Sequence, residues 1–189
     1  MGWQFKHSVI TVILFSLLSI PVVYASFIDH PVRSGQWTDK YDRYFKKYSK
    51  RYFGPLFDWH WFKAQAIAES GLDDEARSHV GAQGLMQIMP DTFTEISEKN
   101  PHFRELESPH WNIAAGIYYD RTLYRKFKNT AEQDKLYMTF ASYNAGYGRI
   151  LNAAKRNGNK EKNWEEIKEH LPKETRAYVR RIRKLMEDQ

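Results

Sequence analysis

Between residues 37 and 52, Trp37, Tyr41, Tyr44, Phe45, Tyr48 and Tyr52 recur at steps of three and four, with Lys and Arg between them. That period puts rings on one face and charges on the other and predicts an amphipathic helix. Asp58 is placed to cap a second helix, Trp59 through Glu69, where Phe62, Ala66 and Ala68 make a face of small residues and Gly71 marks the stop. Residues 70–84 carry Gly, Asp and Ser and read as a loop. Leu85 to Met89 reads as a short turn or helix ended by Pro90, and Asp91 as the cap of a further helix. Past Pro101 and Pro109, Ile113, Ile117, Leu123 and Phe127 give a core helix over Trp111 to Phe127. A second core helix begins near Thr130 and includes Leu136 to Tyr143. Gly146 and Gly148 supply a tight turn, and helix resumes over Ile150 to Ala154. Pro172 breaks the chain again before a basic amphipathic helix over Glu174 to Glu187. Strand-like alternation is nearly absent after residue 30, so the pattern predicts an all-α domain of about seven helices.

The first 25 residues differ in kind. One Lys precedes the apolar run Val9 to Ile20, which Pro21 ends, and Val23-Tyr24-Ala25 offers small-residue cleavage chemistry. Twelve helical residues cover about 18 Å, short of the roughly 30 Å of a bilayer core. The expectation is an export signal cut after Ala25, with an uncleaved single-helix membrane anchor as the alternative. Both place the bulk of the protein outside the cytoplasm. The organisation expected is therefore 1–25 as signal or anchor, 26–54 as an aromatic and basic extension that packs beside the core or docks a partner, and 55–189 as the main domain.

Composition narrows the chemistry. The chain has 189 residues, 42% hydrophobic, enough for a sizeable core without staples. It contains no Cys, which excludes disulfide frameworks, thiolate zinc sites and a cysteine nucleophile. The seven His show no His-Glu-x-x-His spacing, so no metal and no cofactor is expected. Lys plus Arg outnumber Asp plus Glu by 29 to 23, which favours an anionic or polymeric partner. Arg176, Arg180, Arg181, Arg183 and Lys184 crowd the last helix. That face suits phosphates, yet an export signal argues against nucleic acid and leaves wall polymer, anionic lipid or plain solvation.

Three places stand out chemically. Glu69 ends the otherwise small and apolar segment Ala64-Gln65-Ala66-Ile67-Ala68. A carboxyl there is either a solvated helix end or, if dried by packing, a general acid with a raised pKa. The stretch Ala82 to Pro90 sets Gln83 and Gln87 among apolar side chains, and amides suit sugar hydroxyl and acetamido groups. Ser142-Tyr143-Asn144-Ala145-Gly146 presents an aromatic face and an amide at a helix end. The plain alternative is that Gln87 and Asn144 satisfy loop backbone while Tyr143 belongs to the core.

Glu69-Ser70, Ser78 with Gly81 to Pro90, Ser142 to Gly146, and Glu174-Thr175-Arg176-Ala177-Tyr178-Val179 together resemble, in order, the catalytic domain of the soluble lytic transglycosylase (SLT) family. The resemblance covers roughly residues 55–187. It implies an all-α, lysozyme-like fold and cleavage of peptidoglycan between N-acetylmuramic acid and N-acetylglucosamine, leaving 1,6-anhydromuramic acid ends. By position it implies Glu69 as catalytic acid and base. It further implies Ser78, Met86, Gln87, Tyr143, Asn144 and Tyr178 as lining of the glycan cleft, with Glu174 near the site.

Two other readings stay open at this point. Asp73, Asp74 or Glu75 as a second catalytic carboxyl would make the chain a hydrolytic muramidase. A non-catalytic wall-binding module in a cell-envelope machine would bind glycan strands without releasing product.

Overall fold

Helix boundaries follow local signals that the backbone can be seen to use. In the computed structural model, which describes residues 31–156, 158 and 163–187, the chain forms α1 (Asp42–Phe53), α2 (His60–Ser70), α3 (Pro90–Lys99) and α4 (Pro109–Tyr124). These are followed by α5 (Glu132–Ala145), α6 (Tyr147–Arg156), α7 (Trp164–Ile167), a 3-10 turn (Lys168–His170) and α8 (Lys173–Met186). Asp58 Oδ1 accepts the His60 N–H at 3.0 Å and so satisfies one of the orphan donors at the start of α2. Gly71, at φ 68°, takes the left-handed conformation that ends α2, and its N–H reaches Ile67 O at 2.9 Å.

The differences from the sequence pattern have physical reasons. The described residues hold eight α-helices rather than about seven. The addition is the single turn α7, which Asn163 opens by accepting the Glu165 N–H on its side chain. Asp91 is not a cap: Pro90 already occupies the first turn of α3 with Met89 before it. Asp91 sits inside that turn, where the helix dipole favours a carboxylate. Residues 85–89 form no helix. Gln83 and Ile88 instead exchange two backbone hydrogen bonds of 3.0 Å each and make a tight hairpin. The signal or anchor expected over residues 1–25 lies outside the described residues, and no helix among the described residues is long and apolar enough to cross a membrane.

One continuous core joins these elements. α4 and α5 supply its centre through Ile113, Ala115, Ile117, Met138 and Phe140, all fully buried, and α5 packs against α4, α6 and α8. α1 lies along α4, and Phe45 and Tyr48 enter the same core, so the aromatic face predicted over 37–52 is packing rather than a free surface. Trp37 and Tyr41 are buried there as well, although both precede the first helical residue.

The 70–89 loop is held to the core by Asn112. This residue is 1% exposed, accepts the Met86 N–H at 2.8 Å, and donates to Gln83 O at 2.9 Å and Leu106 O at 3.1 Å. Three hydrogen bonds from one buried amide fix where the loop crosses α4. The fit is tight. A Cβ on Gly84 would stand 2.6 Å from Asn112 Nδ2, and one on Gly116 would stand 2.9 Å from three Met86 side-chain atoms.

Candidate active site

Glu69 occupies the last turn of α2, two residues before the Gly71 stop, where α2 packs on α8. Across 109 residues of chain, Tyr178 Oη donates to Glu69 Oε1 at 2.5 Å. Arg181, three residues further along α8, donates from Nη1 to Ala68 O at 3.0 Å and brings a cation beside the carboxyl. Burial outweighs both of these stabilising contacts. It raises the Glu69 pKa from 4.5 to about 7, while the Tyr178 hydrogen bond and the Arg181 charge pull the other way. Taken as a whole residue Glu69 is half-buried.

Tyr143, near the end of α5, faces the same place. Its hydroxyl donates to Met86 O at 2.8 Å and its ring meets Tyr119 edge-on at 5.5 Å. Burial, then the nearby Glu69 and Asp120 carboxyls, push the Tyr143 hydroxyl well above its ordinary pKa, so it stays a neutral donor. Ser70, next to Glu69, donates from Oγ to Leu85 O at 3.0 Å. The acid-bearing helix and the 82–90 loop are thereby tied at the point where Glu69 emerges.

The remaining residues named from sequence fall into different situations. Gln87 adopts φ 44°, uncommon for a side-chain-bearing residue, and its Nε2 donates to Gly84 O at 2.9 Å and Ala76 O at 3.1 Å. Its donors therefore shape the loop. Ser78 Oγ accepts the Ala82 N–H at 2.9 Å, closing the other side of that loop. Met86 is the clear departure. Its side chain is fully buried against Gly116, because the three Asn112 bonds turn this part of the loop inward, and only its backbone carbonyl takes part in the site. The exposed methionine of the loop is Met89. Asn144 is exposed at the end of α5, and Glu174 is exposed in the first turn of α8, one turn before Tyr178 and on its face.

Three participants were missed in the sequence. Arg181 was read with the solvated basic face, yet its i+3 spacing from Tyr178 carries it onto the buried side of α8. Asp120 and Gln65 are both 0% exposed, and Gln65 Nε2 donates to Asp120 Oδ1 at 3.3 Å. A carboxylate three residues after Ile117, on the apolar stripe of α4, was the available signal for Asp120. The acidic cluster after α2 is differently engaged. Asp73 Oδ1 accepts the Glu75 N–H at 2.9 Å and Asp74 lies 3.5 Å from Lys40 Nζ. The basic face of α8 instead lines a concavity of about 410 Å³ with Trp164, among Arg176, Arg180 and Arg183, and none of the Glu69 neighbours borders it.

The transglycosylase SLT domain model matches residues 43–165. The membrane-bound lytic murein transglycosylase F of Desulfosudis oleivorans is 31% identical over 176 residues, covering 77% of this chain and 38% of that protein. Among solved structures, the 70 kDa soluble lytic transglycosylase of Escherichia coli superposes with a TM-score of 0.66 at 29% identity, over 80% of this chain and 24% of that one. An inactive mutant of the lytic transglycosylase Slt of Pseudomonas aeruginosa gives 0.65 at 27% identity, over 82% of this chain and 26% of the other. This chain thus spans well under half the length of each relative.

Proposed function

Given that the chain belongs to the transglycosylase SLT domain family, we propose that it is a peptidoglycan lytic transglycosylase in which Glu69 acts as both acid and base. The observation that carries this reading is a carboxyl whose pKa burial raises to about 7 and whose orientation Tyr178 fixes. A carboxyl at 4.5 would be protonated in only about 0.3% of molecules at pH 7, whereas one near 7 is protonated in about half. That difference of roughly a hundredfold in acid form favours a general acid at neutral pH.

The reaction runs in two steps. In the first, the Glu69 carboxyl gives its proton to the glycosidic oxygen between N-acetylmuramic acid and N-acetylglucosamine, the C1–O bond breaks, and the N-acetylglucosamine part leaves as an alcohol. In the second, the Glu69 carboxylate takes the proton from the muramic acid C6 hydroxyl while O6 bonds to C1. The 1,6-anhydro ring closes, Glu69 regains its proton, and no water is consumed. Gln87 Oε1 and the Tyr143 ring face the sugar on one side, with Ser78, Asn144 and Glu174 further along the cleft. Tyr178 stabilises the carboxylate between steps by its hydrogen bond.

A hydrolase would need a second carboxyl near the substrate, at about 5–9.5 Å from the first. Among the candidate carboxyls, Asp73 accepts from the Glu75 backbone, Asp74 lies beside Lys40, and Asp73, Glu75 and Glu174 are exposed to solvent, so burial singles out Glu69 as the proton donor, and Asp120 is sealed in the core. The names of the relatives support the same substrate, the glycan strands of peptidoglycan, and with it a place in the cell envelope. Digestion of purified sacculi followed by mass analysis tests the proposal. Anhydro ends, lost in Glu69→Gln, are expected; reducing ends or an active Glu69→Gln enzyme would overturn it.

A further inference from the structure

Behind Glu69 lies a second carboxyl that these two steps do not use. Asp120 on α4 and Gln65 on α2 are both fully buried. Gln65 stands one helical turn before Glu69 and shares its face of α2. Gln65 Nε2 donates to Asp120 Oδ1 at 3.3 Å, which leaves one oxygen on each group, Asp120 Oδ2 and Gln65 Oε1. Both of those oxygens are buried and neither has a hydrogen-bond partner.

Two buried acceptors without a donor are costly, and a single proton resolves both. Placed on Asp120 Oδ2, it makes that oxygen a donor toward Gln65 Oε1 and closes a ring of two hydrogen bonds, a carboxylic acid paired with a primary amide. The electrostatics agree in direction. Burial, foremost, pushes Asp120 well above the ordinary carboxylate range and the Glu69 charge adds to this, against the opposing pull of the Gln65 hydrogen bond. The groups around it from each packed element are Glu69 and Gln65 on α2, Tyr119 on its own helix, Tyr143 on α5 and Tyr178 on α8. Arg181 on α8 is the nearby cation acting on Glu69.

We propose that Asp120 is a positioning residue of the catalytic site: it keeps its proton throughout the reaction and locks Gln65 in a closed acid–amide pair, so that the floor beneath Glu69 carries no charge when Glu69 becomes an anion. An ionised Asp120 would oppose the departure of the Glu69 proton through a medium of low dielectric. A neutral pair lets that proton go, and it braces the helix turn from which Glu69 projects. This inference rests on the reading of Glu69 as acid and base, and its first test does not depend on turnover.

In the Glu69→Gln protein, infrared spectroscopy is expected to show a protonated-carboxyl C=O band that persists to alkaline pH and disappears when Asp120→Asn is added. A band that titrates away below neutral pH, or that survives Asp120→Asn, overturns the proposal even if Glu69 is the catalytic acid. In the otherwise native enzyme, Asp120→Leu opens the ring and is expected to lower kcat by roughly ten-fold or more, while Asp120→Asn rebuilds the ring as an amide–amide pair and recovers the loss. Gln65→Glu makes two carboxyls share one proton, so the alkaline limb of the rate profile should move up by roughly one pH unit. An Asp120→Asn enzyme whose alkaline limb falls instead would mean that a charge had been removed, and the proposal would be wrong.

Discussion

The Tyr178 hydroxyl meets Glu69 Oε1 at 2.5 Å, joining the last helix of the chain to the end of the second. A phenol donating to a carboxyl favours the ionised form, so this contact holds the Glu69 pKa below where burial alone would put it. The family resemblance places both residues at the site but says nothing of this direct bond.

Removing the donor separates its two effects. In Tyr178→Phe, the opposition to burial weakens, so the Glu69 pKa should rise above about 7 by about one unit, the worth of one hydrogen bond to a charged group. Because the first step needs the protonated form, the alkaline limb of kcat/KM moves to higher pH. The plateau falls, since the carboxylate formed between steps loses a partner. A pH–rate series on sacculi reads both, and a limb that moves down contradicts the geometry.

The loop that faces Glu69 depends on the close approach of Gly84 to Asn112. Gly84 has φ 72°, and a Cβ there would lie 2.6 Å from Asn112 Nδ2. Gly84→Ala should therefore cost about 2 kcal/mol or more, from left-handed strain and from displacing the amide that holds the loop. Thermal unfolding checks the loss. Activity should fall further than stability, because Met86 O, the acceptor for Tyr143, moves with the loop.

Gln87 tests whether an amide in the cleft serves ligand or loop. Gln87→Ala deletes the donors to Ala76 O and Gly84 O, so stability should drop by about 1–3 kcal/mol and kcat/KM should drop with it. A residue serving only the sugar would leave Tm unchanged. Parallel melts and digestion assays distinguish these outcomes.

Much of this was readable in the chain and some was not, for reasons that particular residues make plain. The α2 boundaries were legible because Asp58 and Gly71 act locally, within four residues of the groups they satisfy. The face of α1 was legible because its ring spacing is periodic, and it packs on α4 as that pattern requires. The fate of Met86 was not, since it is decided by Asn112, 26 residues away, whose bonds turn the loop inward. Gln87 could be read two ways, and the fold shows the loop reading in its two Nε2 bonds to Ala76 O and Gly84 O. Arg181 shows the same limit from another side. Its neighbours in sequence are basic and largely solvated, and only the packing of α8 on α2 reveals that it reaches the Ala68 carbonyl beside the acid.

Glu69 also exacts a stability cost whose sign can be worked out. Its folded pKa of about 7 lies above the 4.5 of the unfolded chain, so the folded state binds the proton more tightly. Its contribution is fully present below pH 4.5 and is lost as pH rises to about 7, beyond which the ionised form is penalised by up to about 3 kcal/mol. Glu69→Gln carries no titrating group and can still accept from Tyr178. The variant should match the native protein in stability near pH 4 and exceed it at pH 8, while losing turnover, the exchange of stability for activity expected of a dried catalytic acid. Chemical denaturation at the two pH values measures the difference. A variant that is less stable than the native protein at pH 8 would mean that the Glu69 carboxylate is welcomed by its surroundings, and the raised pKa on which the acid step depends would fall with it.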